Sequence, residues 1–134
     1  ESDHKIVPIP GASASVTLIS AAGRIGKAFL FEGFLSPKKG RRQKRLKELV
    51  SRGDAFIIYE SPFRVLKTLE ELKDLGGVEK ITIGRELTKA HEEIISGPPE
   101  EIYDSFKSRD SIKGEFALVV VPFGEKDDAD NKED

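Results

Sequence analysis

Lys80-Ile81-Thr82-Ile83-Gly84-Arg85-Glu86-Leu87-Thr88-Lys89-Ala90-His91-Glu92-Glu93 is a strand that runs straight into a cluster of charge. Ile81 and Ile83 alternate with polar neighbours, which predicts a β-strand. In an open α/β sheet, ligands sit in the crevice beyond the carboxyl ends of the strands, so Arg85 onward falls where a site belongs. A second segment has the same grammar: the apolar run Ala55-Phe56-Ile57-Ile58 ends in Tyr59-Glu60-Ser61-Pro62-Phe63-Arg64. Two such strand ends in one small domain are expected to face one crevice. Solvated loops that merely keep strand ends soluble would use the same residue types.

Working outward, apolar strands and amphipathic helices alternate along the chain. Ala12 to Ala22 reads as a helix of small residues with Val16, Leu18 and Ile19 as contacts, stopped by Gly23. Phe29 to Leu35 reads as an aromatic strand, with Gly33 marking a bulge or a close approach. From Arg41 the apolar residues Leu46, Leu49 and Val50 share one helical face, and Gly53 ends that helix. Ala55 to Tyr59 is continuously apolar, as in a strand covered on both faces of a parallel sheet. Ser61 is expected to cap the next helix with Pro62 at its first position. Val65, Leu66, Leu69 and Leu72 form its buried stripe, and Gly76-Gly77 stops it.

Glu93 to Ser96 reads as a further short strand. Pro98-Pro99-Glu100-Glu101 opens a helix with acids in its first turn, where the dipole favours them, and with Ile102 and Phe106 toward the core. Phe116 to Val121 is the most apolar strand and is expected at the centre. The fold class is therefore α/β, a layered sheet with helices on both faces. Residues 1–5 read as the remnant of a linker, 6–124 as one domain opened by the stiff entry Ile6 to Gly11, and 125–134 as a disordered acidic tail. The start at Glu1, without a methionine, suits a piece cut near a domain boundary.

Bulk properties exclude several classes. The 134 residues suffice for one domain with a real core. No apolar run is long enough to span a bilayer and no signal-peptide pattern opens the chain, so a cytoplasmic location without a membrane is expected. The absence of cysteine removes disulfides and thiolate chemistry. Gly23 to Ala28 lacks the spacing and the hydroxyl of a phosphate loop. Neither a dinucleotide fingerprint nor a serine-hydrolase elbow is present. His91, Glu92 and Glu93 are adjacent and would diverge on an extended segment, so no metal site is expected.

Charge is unevenly placed. The net charge is −2, yet Lys38, Lys39, Arg41, Arg42, Lys44, Arg45, Lys47 and Arg52 cluster against Glu48 alone. A basic patch on an acidic body favours a polyanionic partner; a solvated helix face is the plainer alternative. For the opening cluster, Glu86 and Lys89 are the candidate acid–base or charge-stabilising pair, oriented by Arg85, with structural ion pairing as the alternative for each.

Taken together, Pro10-Gly11-Ala12-Ser13-Ala14, Phe29-Leu30-Phe31-Glu32-Gly33-Phe34-Leu35, Lys38-Lys39-Gly40-Arg41-Arg42, Tyr59-Glu60-Ser61-Pro62-Phe63-Arg64 and Arg85 to Glu93 closely resemble one family. In this order they look like the C-terminal domain of the ribosomal RNA small subunit methyltransferase I family, of the tetrapyrrole-methylase-like class. Two departures stand out: Phe63, where the family usually has His, and Arg24 to Lys27, where a Leu-Pro-Thr-like turn is usual.

The resemblance implies the second domain of a two-domain enzyme that uses S-adenosyl-L-methionine to methylate the ribose 2′-hydroxyl of a cytidine in small-subunit ribosomal RNA. It implies a homodimer, and a fragment inactive without its first domain. It places cofactor contacts at Tyr59, Glu60 and Leu87, and catalysis among Glu86, Lys89 and Arg85. Lys38, Lys39, Arg41, Arg42, Lys44 and Arg45 would hold RNA phosphates. A non-catalytic RNA-binding or dimerisation module, and a tetrapyrrole methylase of the same class, are the competing functions.

Overall fold

The computed structural model describes residues 5, 7 and 13–124. The expected extended entry, Ala12 and the acidic tail at 125–134 fall outside the described residues, apart from Val7. The elements in chain order are α1 (Ala14–Ala22), β1 (Phe29–Phe34), α2 (Lys39–Ser51), β2 (Ala55–Glu60), α3 (Val65–Leu75), β3 (Val78–Arg85), β4 (Glu93–Gly97), α4 (Pro99–Lys107) and β5 (Phe116–Pro122). The sheet order is β1-β2-β5-β3-β4, which puts the most apolar strand at the centre, as its composition predicts.

Helices cover both faces because β5 is apolar on both. Phe116, Leu118 and Val120 face a core shared with Leu46 and Leu49 of α2, Val65, Leu69 and Leu72 of α3, and Ile102 and Phe106 of α4. Ala117 and Val119 face the other way, against Leu18 and Ala22 of α1. Small residues on α1 and β5 let that single helix lie close to the sheet. Leu118, Ile57 and Leu69 are fully buried, and each such side chain contributes about 1.5–3 kcal/mol by leaving water.

The sheet departs from expectation in direction. Strand β2 pairs parallel only with β1. It pairs antiparallel with β5, which in turn pairs antiparallel with β3, and β3 pairs antiparallel with β4. A strand buried on both faces looks the same in sequence whichever way its neighbour runs. The arrangement collects the carboxyl ends of β1, β2 and β3 and the amino ends of β5 and β4 at one edge.

Helix α3 also starts later than expected. Its N-cap is Arg64, without a side-chain cap. The Ser61 carbonyl instead closes a turn by accepting from the Arg64 and Val65 amides, at 3.1 and 3.0 Å. Helix α2 starts at Lys39, two residues ahead of the expected Arg41. The Gly33 expectation holds: the β1–β2 register shifts between Phe31 and Gly33, where Gly33 has φ +72°.

Candidate functional site

The strand-end edge carries a cavity of about 470 Å³, walled by Tyr59 and Glu60 of β2, Glu86, Leu87 and Lys89 after β3, and Glu115 to Ala117 entering β5. Ser61 and Pro62 after β2, Phe34 at the end of β1 and Ala14 at the start of α1 complete the rim. The two charged strand ends therefore meet at one hollow. They are not neighbours, since β5 runs between them.

Segment 86–89 is held in an uncommon conformation. Glu86 and Thr88 have φ of 50° and 65°, a left-handed region that costs non-glycine residues energy and persists only where the surroundings enforce it. Here the Glu86 amide donates to the Glu115 carbonyl at 3.0 Å and the Lys89 amide to the Glu86 carbonyl at 3.0 Å. The Glu86 Oε1 accepts from the Glu115 amide at 2.8 Å, and Oε2 pairs with Lys89 Nζ at 2.9 Å. Two glycines make room. A Cβ on Gly114, already at φ +106°, would lie 2.7 Å from Glu86 Oε1, and one on Gly84 would lie 2.7 Å from Leu87 Cδ2 and 2.8 Å from Leu18 Cδ1.

Electrostatics follow from that geometry. The Lys89 ammonium, then the Glu115 amide, hold the Glu86 carboxyl below the usual range. Glu86, with Glu115 beyond it, raises Lys89 in turn. The pair is thus carboxylate and ammonium at neutral pH, and both Glu86 oxygens are occupied. Arg85 does not line the cavity; its guanidinium donates to the carbonyls of Lys113 at 3.3 Å and His91 at 3.4 Å, tying two loops together.

Glu60 offers the cavity little of its charge. Its carboxylate is buried and turned toward α3, accepting from Thr68 Oγ1 at 2.8 Å and the Ser61 amide at 3.1 Å. Tyr59 is half-buried, flanked edge-on by Phe31 and Phe34 with ring centroids 5.4 and 5.5 Å away. The Phe63 departure is a ring 94% exposed, outside the cavity lining.

The basic run divides in two. Lys38, Lys39, Arg41 and Lys44 are exposed, as is Lys47. Arg42 is not: it is buried with its fork on Glu71, at 3.0 Å (Nε–Oε2) and 2.6 Å (Nη2–Oε1), so the expectation that it meets RNA is corrected. The cause is helical phase, because position 42 precedes Leu46 and Leu49 on the buried face. Arg45 places its fork on Glu32 at 2.7 and 2.8 Å, fastening α2 to β1. Sequence reasoning missed Phe34, Gly114 and Glu115; the Gly-Glu pair opening the central strand was the available signal.

Among the described residues no group of three or more His, Asp and Glu could hold a metal ion, and no helix is long and apolar enough to cross a membrane. The family model for tetrapyrrole (corrin/porphyrin) methylases matches residues 1–103. The chain belongs to this family. It is 44% identical over 118 residues to a ribosomal RNA small subunit methyltransferase I of Borrelia garinii subsp. bavariensis, covering 87% of this chain. The chain spans about half the length of the curated relatives it matches, 53% in that case.

Among solved structures, the methyltransferase CobJ superposes with a TM-score of 0.61 at 20% identity, over 84% of this chain and 49% of that one. A uroporphyrin-III C-methyl transferase from Thermus thermophilus, complexed with S-adenyl homocysteine, gives 0.52 at 15% identity, over 87% of this chain and 51% of that one. At these identities the likeness speaks for the fold alone.

Proposed function

We propose that this methylase domain is the C-terminal half of an S-adenosyl-L-methionine-dependent enzyme that methylates the ribose 2′-hydroxyl of a cytidine in small-subunit ribosomal RNA. The intact enzyme would be a cytoplasmic homodimer. The observation that carries the reading is the meeting of Tyr59-Glu60 and Glu86–Lys89 at one cavity. The name of the Borrelia relative and the motif resemblance support the RNA substrate. The Thermus neighbour, complexed with the demethylated product of this cofactor, supports the cofactor.

The residues present fit one side of such a cofactor. Ala117 and Leu87 give the cavity a small apolar floor suited to a purine face, with Ala14 at the rim, while Tyr59 and Glu60 bring strand-end backbone to its wall. When bound, the cofactor supplies an electrophilic methyl group on a sulfonium. The 2′-oxygen must shed its proton as it attacks, and a nearby cation stabilises the charge that develops there. Lys89, held charged and 55% exposed at the cavity, fills that role. Glu86 positions Lys89; its depressed proton affinity makes it a weak base. Arg85 acts one step further out, by bracing the loop.

Lys38, Lys39, Arg41, Lys44 and part of Arg45 form the phosphate-facing surface. A tetrapyrrole substrate would give that exposed cationic face no use. The test joins this domain to its preceding half and measures labelled methyl incorporation into small ribosomal subunits. Lys89→Ala is expected to slow transfer on the order of a hundredfold, the scale for removing one charge-stabilising donor. Label that enters no RNA, from a folded cofactor-bound enzyme, would overturn the reading.

A further inference from the structure

We infer that Phe34, propped on Tyr59 beside Phe31, is a stacking platform for an unpaired nucleobase at the mouth of the cavity. This rests on reading the domain as half of an RNA methylase, and it names how that RNA is held. Phe29, Phe31 and Phe34 are 46, 53 and 70% exposed on a single edge strand.

The bulge is what brings two of them together. Alternation would put residues 31 and 34 on opposite faces of an unbroken strand. In the observed register Phe31 lies opposite Ile57 and Phe34 opposite Tyr59, two positions on one face of β2. Bulges re-aim side chains in this way, often beside active sites. Tyr59 then meets both rings edge-on, at interplanar angles of 69° and 63°, which leaves Phe34 supported from beneath and open to solvent.

A base is the occupant that the surroundings favour. Phe34 lines the cavity that also holds Lys89. Five residues after it α2 begins, with Lys38, Lys39 and Arg41 exposed. The Arg45–Glu32 fork fixes those cations against β1. An apolar ring at a cavity mouth, followed within seven residues of chain by exposed cations, matches an unstacked nucleotide: its base has a π-face and its backbone is anionic. A nucleotide in a single-stranded loop or splayed out of its stack exposes a base face, and that face needs a surface.

The test uses the intact enzyme with Phe34→Ala and Phe34→Trp, varying small ribosomal subunits and cofactor separately. Phe34→Ala is expected to raise KM for the RNA substrate roughly tenfold, the scale of one base–aromatic stack. KM for the cofactor should stay within about twofold, and Phe34→Trp should restore RNA binding. An unchanged KM for RNA in Phe34→Ala would overturn the inference while leaving the methylase reading intact. A loss shared equally by cofactor affinity and thermal stability would also overturn it, because a ring covered by the preceding half or by a second copy behaves that way. A wild-type enzyme that transfers no methyl to RNA removes the reading beneath it, and the platform with it.

Discussion

Arg41 and Arg42 are adjacent in the chain and opposite in circumstance. Removing one partner of a buried, doubly hydrogen-bonded pair leaves the other charged and dry, at a cost of about 3–5 kcal/mol. Arg42→Ala is therefore expected to lower the urea midpoint strongly by stranding Glu71. Arg41→Ala should leave stability within about 0.5 kcal/mol and weaken RNA binding instead. Equal stability losses in the two variants would contradict the assignment. Counting cations along Lys38 to Arg45 hid this difference, although the helical phase of Arg42 with Leu46 was there to be read. Glu86 makes a second residue-scale prediction. Its folded carboxyl titrates below the ordinary range, so its bonds stabilise the loop above that range and are lost as pH falls through the lowered value. The Glu115 amide, which donates to Glu86 Oε1, should lose exchange protection on acidification. Glu86→Gln should abolish that acid step; an unchanged step in the variant would assign it to another group.

Among elements, helices were legible where periodicity was strong, as in α4, and strands where an apolar run was unbroken, as in β5. Two things were not. Direction in the sheet was hidden because Phe116 to Val120 are buried on both faces, so no alternation marks which neighbour runs which way. The start of α3 was misread because Ser61-Pro62 carries the usual opening signal, while the Glu60 carboxylate takes the Ser61 amide and Thr68 hydroxyl and shapes a turn instead. Gly84 shows how tightly α1, β3 and the 86–89 loop are fitted. Gly84→Ala would push a Cβ into Leu87 and Leu18 and is expected to cost about 1–3 kcal/mol by overpacking. Loosened protection of the loop amides should accompany it. A variant as stable as the parent would show that these side chains have room to move.

At the scale of the molecule, charge and cavity occupy different parts of one surface. The cavity was legible as two charged strand ends and the central place of β5 as an apolar run, yet the rim residue Phe34 was not, since it carries no polar signature. Under the proposed function, the cations of α2 without a carboxylate partner among the described residues make RNA affinity depend on salt. Each phosphate that a variant no longer neutralises should flatten the log–log slope by about 0.7–0.9. Replacing Lys38, Lys39 and Arg41 by alanine in the intact enzyme should therefore lower the slope by roughly two to three. An unchanged slope would place the RNA elsewhere. The most direct measurement of the central claim is the crystal structure of the intact enzyme with S-adenosylhomocysteine bound. It should show the adenosine against Leu87 and the Tyr59-Glu60 backbone, with Lys89 facing the sulfur end. Ligand density away from this strand-end edge, as in the groove that Lys44 and Lys47 of α2 line with Lys67 and Asp74 of α3, would contradict it.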